Sequence, residues 1–106
     1  MRSAINTVPQ RLVQPKVQEV SKEKIKELHF PKSEVLVNKF EQVMRAKDLE
    51  QSIALGNVFH SKVSIHFEDI EGHKKVSTTV WGLTDTHVIL KGHIFIPIHR
   101  IVSINY

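Results

Sequence analysis
Seven histidines in a chain of 106 residues are its richest supply of reactive side chains. An imidazole site for a metal needs three or four converging ligands, commonly with a carboxylate nearby. His60 and His66 share strand parity but stand six positions apart. In an extended strand that spacing is roughly 20 Å, too far to share one ion. His87 and His93 flank a tight turn and are expected to approach each other, whereas His73 is expected to stand free on another turn. No HExxH spacing occurs. The histidines therefore read as surface polar residues, and no cofactor or metal is expected. Their titration near pH ~6.5 still adds positive charge under mild acid.

Other chemistry is thin. There is no cysteine, which excludes disulfides, thiolate zinc sites and a cysteine nucleophile. No GxSxG elbow or phosphate-cradling glycine loop is present. Glu68, Asp69 and Glu71 form an acidic cluster whose expected partners are Lys74 and Lys75. Catalysis would need a pocket lined by His66, Glu68 or His87, so an enzyme is the least favoured class. Binding fits better. Trp81, the single tryptophan, falls on the polar side of its strand, where the helix is expected to cover it. Left exposed, it would offer a stacking surface to a base or a proline-rich peptide. The expected partner contacts are Trp81, Lys62, His66, Lys91 and Arg100. The formal charge is only +4, a weak footprint for nucleic acid.

The elements that must position these residues divide near Gly56. Residues 1–32 hold Pro9, Pro15 and several glutamines without periodicity, and read as an extended or disordered tail. A weak short helix follows Ser21 and is ended by Pro31. Residues 33–56 read as helical, with Ser33 as N-cap. Val35, Leu36, Lys39, Phe40, Val43 and Met44 fall on one face, which is expected to face inward. A second helical stretch, 48–55, carries Leu49, Ile53 and Leu55 on the stripe that needs a partner, with Asp48 a candidate cap and Gly56 a candidate C′ residue, so one helix or a bent pair both fit.

Residues 57–106 read as strands. Val63, Ile65 and Phe67 alternate with polar residues, as do Val76, Thr78 and Val80. Folding at a four-residue turn, Ile70-Glu71-Gly72-His73, would face Phe67 with Val76, Ile65 with Thr78 and Val63 with Val80. Glu68 would then meet Lys75, His66 would meet Ser77, and Lys62 would meet Trp81. Gly82 marks a bulge or sharp bend. Short strands follow at 87–90 and 93–96, then a break at Pro97, then a last strand at 101–106.

A helix followed by five short bent strands resembles the Sm-like fold. The break before the last strand equally resembles SH3-type barrels. Val63-Ser64-Ile65-His66-Phe67 through Gly72 is similar to the opening half of the first Sm motif, and Leu90-Lys91-Gly92-His93-Ile94 is similar to the second. Thr86 and His87 follow Asp85 where that family carries a base-holding asparagine, so the likeness is one of fold only. It implies an α+β chain, mainly β, in which the N-terminal helical segment caps a five-stranded antiparallel barrel. Residues from Val88 to Ile104 are apolar on both strand parities. One small barrel interior does not take them all, so the surplus must meet the helix or another copy. The function expected is a non-enzymatic binding or assembly module that contacts a protein partner or its own copies as a homo-oligomer. RNA or single-stranded nucleic acid on the face around Trp81 is the alternative. No uncharged run approaches the roughly 20 apolar residues of a membrane helix, and nothing resembles a signal peptide. No membrane partner is expected, and the expected compartment is the cytoplasm.

Overall fold
Period-two alternation in the second half does form strands, in a computed structural model that describes residues 16–106. Strand β1 (Gln18–Glu19) leads into a 3-10 helix at Lys22–Glu27 and then into helix α1 (Lys39–Phe59). Strands β2 (Val63–Asp69), β3 (Gly72–Thr78), β4 (Val80–Leu83), β5 (His87–Leu90) and β6 (Ile94–Pro97) follow. A 3-10 turn at Ile98–Arg100 precedes β7 (Ile101–Asn105). The described residues are thus α+β, with one long helix and seven strands.

The strands lie in two open sheets, ordered β1-β3-β2-β7 and β4-β5-β6. The five-stranded antiparallel barrel is therefore not formed. One strand was expected across residues 75–81, but the ladder breaks at Thr79, and a bulge at Trp81 shifts the register between Val80 and Gly82. Pro97, which has no N–H to donate, and the 3-10 turn after it separate β6 from β7. Neither junction carries a continuous ladder, and a barrel needs one all the way round. Among the described residues one pairing, β1 with β3, is parallel and also departs from the all-antiparallel expectation.

The β2–β3 hairpin forms in a different register from the expected one. Phe67 pairs with Lys74, Ile65 with Val76, and Val63 with Thr78. Lys62 has no partner in this ladder, so its expected pairing with Trp81 is absent. The turn closes on Asp69 and Gly72, leaving only Ile70 and Glu71 between them. The carboxylate of Asp69 accepts the backbone N–H groups of Glu71 and Gly72 at 3.0 and 3.1 Å. Gly72 supplies the positive φ of 137° that this tight closure demands. A two-residue shift preserves parity, so Val63, Ile65 and Phe67 still face the core.

Helix α1 is single and continuous over 21 residues. Its N-cap is Asn38 rather than Ser33 or Asp48, accepting from Phe40 and Glu41 N–H at 2.7 and 3.2 Å. Its C-cap is His60, in the left-handed region at φ 54°. Gly56, expected as the stop, lies inside the helix. A Cβ there would collide with the backbone carbonyl of Val80, so the helix lies directly on β4. The buried face is Arg45, Leu49, Ser52 and Gly56. Of the residues expected inward, Leu36 is buried and Val35 half-buried ahead of the helix, whereas Phe40, 70% exposed, Val43 and Met44 point outward.

Polar residues can face inward because each is answered. Arg45 donates twice to Glu34, at 2.7 Å from Nη1 and 2.7 Å from Nη2, and once to the Ile101 carbonyl at 2.9 Å. Ser52 donates to the Leu49 carbonyl at 2.6 Å. The core gathers Ile25, Leu49, Phe67, Val80, Leu90 and Ile101 from both sheets, the helix and the first 3-10 turn. Each such side chain contributes roughly 1.5–3 kcal/mol on burial. The expected tail spans two situations. Residues 1–15 lie outside the described residues, while residues 16–32 hold β1 and the 3-10 helix that buries Ile25.

Candidate interaction surfaces
The expected contact residues do not assemble into one site. Arg100 is buried and structural: Nε donates to the Glu68 carbonyl at 3.0 Å, and Nη1 donates to Ser33 O and Oγ at 2.9 and 3.1 Å. It pins the segment before α1 to the first sheet. Lys62 is exposed between α1 and β2. His66 stands on the outer face of the β1-β3-β2-β7 sheet, opposite Lys75 on one side and Ser103 on the other.

His73 is not free. His66 Nε2 and His73 Nδ1 are 3.0 Å apart, and His73 Nδ1 is 3.7 Å from the Glu68 carboxylate. Burial, then the neighbouring His73, holds the His66 imidazole below its ordinary value, with Lys75 pushing the same way and Glu68 opposing. Two imidazoles and a carboxylate at these distances act as a hydrogen-bonded pair with an ionic neighbour. Among the described residues no cluster of three histidine, aspartate or glutamate side chains is placed to hold a metal.

The acidic cluster is divided by burial. Asp69 and Lys74 are both buried and joined at 2.8 Å, while Glu71 reaches the same ammonium from the exposed rim at 3.3 Å. Lys75, the other expected partner, pairs along the ladder with His66.

Trp81 lies on the outer face of the β4-β5-β6 sheet and is 43% exposed, so α1 does not cover it. The bulge at this position turns its indole outward, where His93 meets it edge-on at 5.2 Å between ring centres. Phe95, 47% exposed, pairs across the ladder with Ile89 and approaches His87 at 6.2 Å. His87 and His93 therefore each turn to an aromatic ring rather than to each other. Exposed Lys91 belongs to the same turn as His93, and its N–H bonds the Thr79 carbonyl at 2.9 Å. Of the five expected contacts, the structure brings Lys91 near Trp81 and leaves Lys62, His66 and Arg100 elsewhere.

A second surface runs along α1. Val37, Phe40, Val43 and Met44 are exposed at its start, and Val58 and Phe59 are 66% and 69% exposed at its end. Lys47, Gln51 and Ala54 continue the same face between them. Half of this stripe was visible in the periodicity of Phe40, Val43 and Met44. Only its direction was misjudged, because hydropathy does not show that Arg45, Ser52 and Gly56 are the residues with inward partners.

No helix among the described residues is long and apolar enough to cross a membrane. The chain matches no family model, no curated protein and no solved structure, so the likeness to Sm-like and SH3-type barrels reduces to a small α+β chain with sheets.

Proposed function
We propose that this chain is a non-enzymatic assembly module that contacts other protein chains, its own copies foremost. One observation carries the reading: the solvent face of α1 is apolar at both ends, with Phe40, Val43, Val58 and Phe59 all more than half exposed. Scattered apolar residues are ordinary on a surface, but large ones ordered along one helix face mark a contact surface. The aromatic face of Trp81 and Phe95 supports the same reading at a second place. The test is size exclusion with light scattering over a wide concentration range. A mass above that of one chain is expected, and a single-chain mass at the highest concentration overturns the reading.

Single-stranded RNA on the outer β4-β5-β6 face is the second reading. It is favoured by the exposed indole of Trp81 with the His93 ring edge-on to it and Lys91 in the same turn, a stacking surface and an ammonium group suited to a base and its phosphate. A mixed-sequence RNA whose affinity falls steeply with salt and is lost in Trp81→Ala would support it. Binding that ignores both would remove it.

A further inference from the structure
The solvent stripe of α1 is apolar at both ends and polar in its middle, Lys47 and Gln51 separating Phe40 and Met44 from Ala54 and Val58. Phe40, Met44, Lys47, Gln51, Ala54 and Val58 follow one another at steps of four, three, four, three and four. That is the seven-residue repeat of a helix seam, averaging about 3.5 residues. All six are exposed, and they lie opposite the buried Arg45, Leu49, Ser52 and Gly56. The apolar ends of the stripe are placed symmetrically about its polar middle. Phe40 and Val58 stand nine residues either side of Leu49, Met44 and Ala54 five, and Lys47 and Gln51 two.

We infer that two copies of this chain pair through the solvent faces of their α1 helices, antiparallel, about a two-fold axis level with Leu49. This rests on the assembly reading above and names its partner and geometry. In that arrangement Phe40 meets Val58 of the second copy and Met44 meets its Ala54, a large side chain against a smaller one each time. A two-fold makes both contacts twice with the same residues, as a closed dimer requires.

Charge selects the direction. Antiparallel pairing sets Lys47 beside Gln51 and Glu50 of the second copy. Parallel pairing in register would set the two Lys47 ammonium groups side by side in the seam. Asp48 does not enter the seam: on the flank of the helix, its carbonyl and carboxylate accept the Tyr106 hydroxyl at 2.9 and 3.1 Å. Helix α1, with 21 residues, is about 31 Å long, enough to carry all six seam positions.

The full chain tests this directly, since it has no cysteine of its own. Light scattering should show a two-chain mass that Phe40→Glu reduces to one chain. Its circular dichroism should stay unchanged, because Phe40 is exposed. Met44→Cys mixed with Ala54→Cys should yield an oxidised dimer, whereas Met44→Cys alone should not. Antiparallel pairing separates the two copies of residue 44 by ten residues, about 15 Å along the axis, well beyond the reach of a disulfide. Self-crosslinking of Met44→Cys, or a dimer that survives Phe40→Glu, overturns the geometry and leaves the assembly reading standing. So does a dimer that dissociates in Trp81→Ser. A wild-type chain of single mass overturns both.

Discussion
At the scale of single residues, the buried pair of Asp69 and Lys74 governs the hairpin. Burial alone would push the Asp69 carboxyl up, yet the Lys74 ammonium and the N–H groups of Glu71 and Gly72 together hold it below its ordinary value. The same ion pair raises Lys74 against the opposing effect of its own burial. The signs follow from linkage. A depressed carboxylate stabilises the fold above its unfolded pKa, and that contribution is lost as pH falls through the folded value. A raised lysine stabilises below its unfolded pKa, and that contribution is lost as pH rises through the folded value. Both are fully present at neutral pH. Asp69→Asn should destabilise by about 3 kcal/mol in urea titration, because it leaves a buried ammonium with only rim-exposed Glu71 as a charged partner. His66 changes stability with pH in the same direction as Asp69. Its depressed value means the unfolded chain takes up its proton first, so stability falls as pH drops below the ordinary histidine value of 6.5. Proton NMR of the imidazoles should find His66 titrating below that value, and titration at or above it would contradict the packing of His66 against His73.

At the scale of elements, helix α1 is fixed by what it lacks. A glycine inside a helix ordinarily gains about 1 kcal/mol on replacement by alanine. Gly56→Ala should instead lower the melting temperature by several degrees, because the new Cβ meets the Val80 carbonyl and the Thr79 methyl and must push α1 off β4. A rise in melting temperature would show that the helix can lift at little expense. This contact also explains what the sequence made legible. Strand parity was readable because Val63, Ile65 and Phe67 alternate cleanly. Register was not, because it depends on the Asp69 carboxylate tightening the turn, a three-dimensional bond that alternation does not encode. The extent of α1 was partly readable, and so was the part of its inward face made by Leu49, Ile53 and Leu55, but its polar members were not. Arg45 is buried only because Glu34 and the Ile101 carbonyl lie opposite it, and those partners come from distant positions. A bulge at Gly82 and an outward Trp81 were both readable, whereas the helix expected to cover the indole lies elsewhere and leaves it 43% exposed.

At the scale of the whole molecule, two exposed apolar surfaces lie on different elements, the α1 stripe and the Trp81–Phe95 face. Because Trp81 is the single tryptophan, its fluorescence reports one surface alone. Acrylamide should quench it efficiently, and equally well at low and high protein concentration, if copies associate through α1. Quenching that weakens with concentration would place the β4-β5-β6 face in the interface. One small element has a larger role than its length suggests. The two-residue strand β1 lies parallel along β3, pairing Gln18 with Lys74 and Glu19 with Lys75, and Val20 N–H adds a bond to the Lys75 carbonyl at 2.9 Å. It occupies the hydrogen-bonding edge of β3 from within the same chain. A bare edge is a template for another molecule's strand. Proteolytic removal of residues through Val20 should therefore speed the growth of turbidity and fibrils relative to the intact chain, and an unchanged rate would show that the edge at Lys74 and Lys75 is no template for polymerisation.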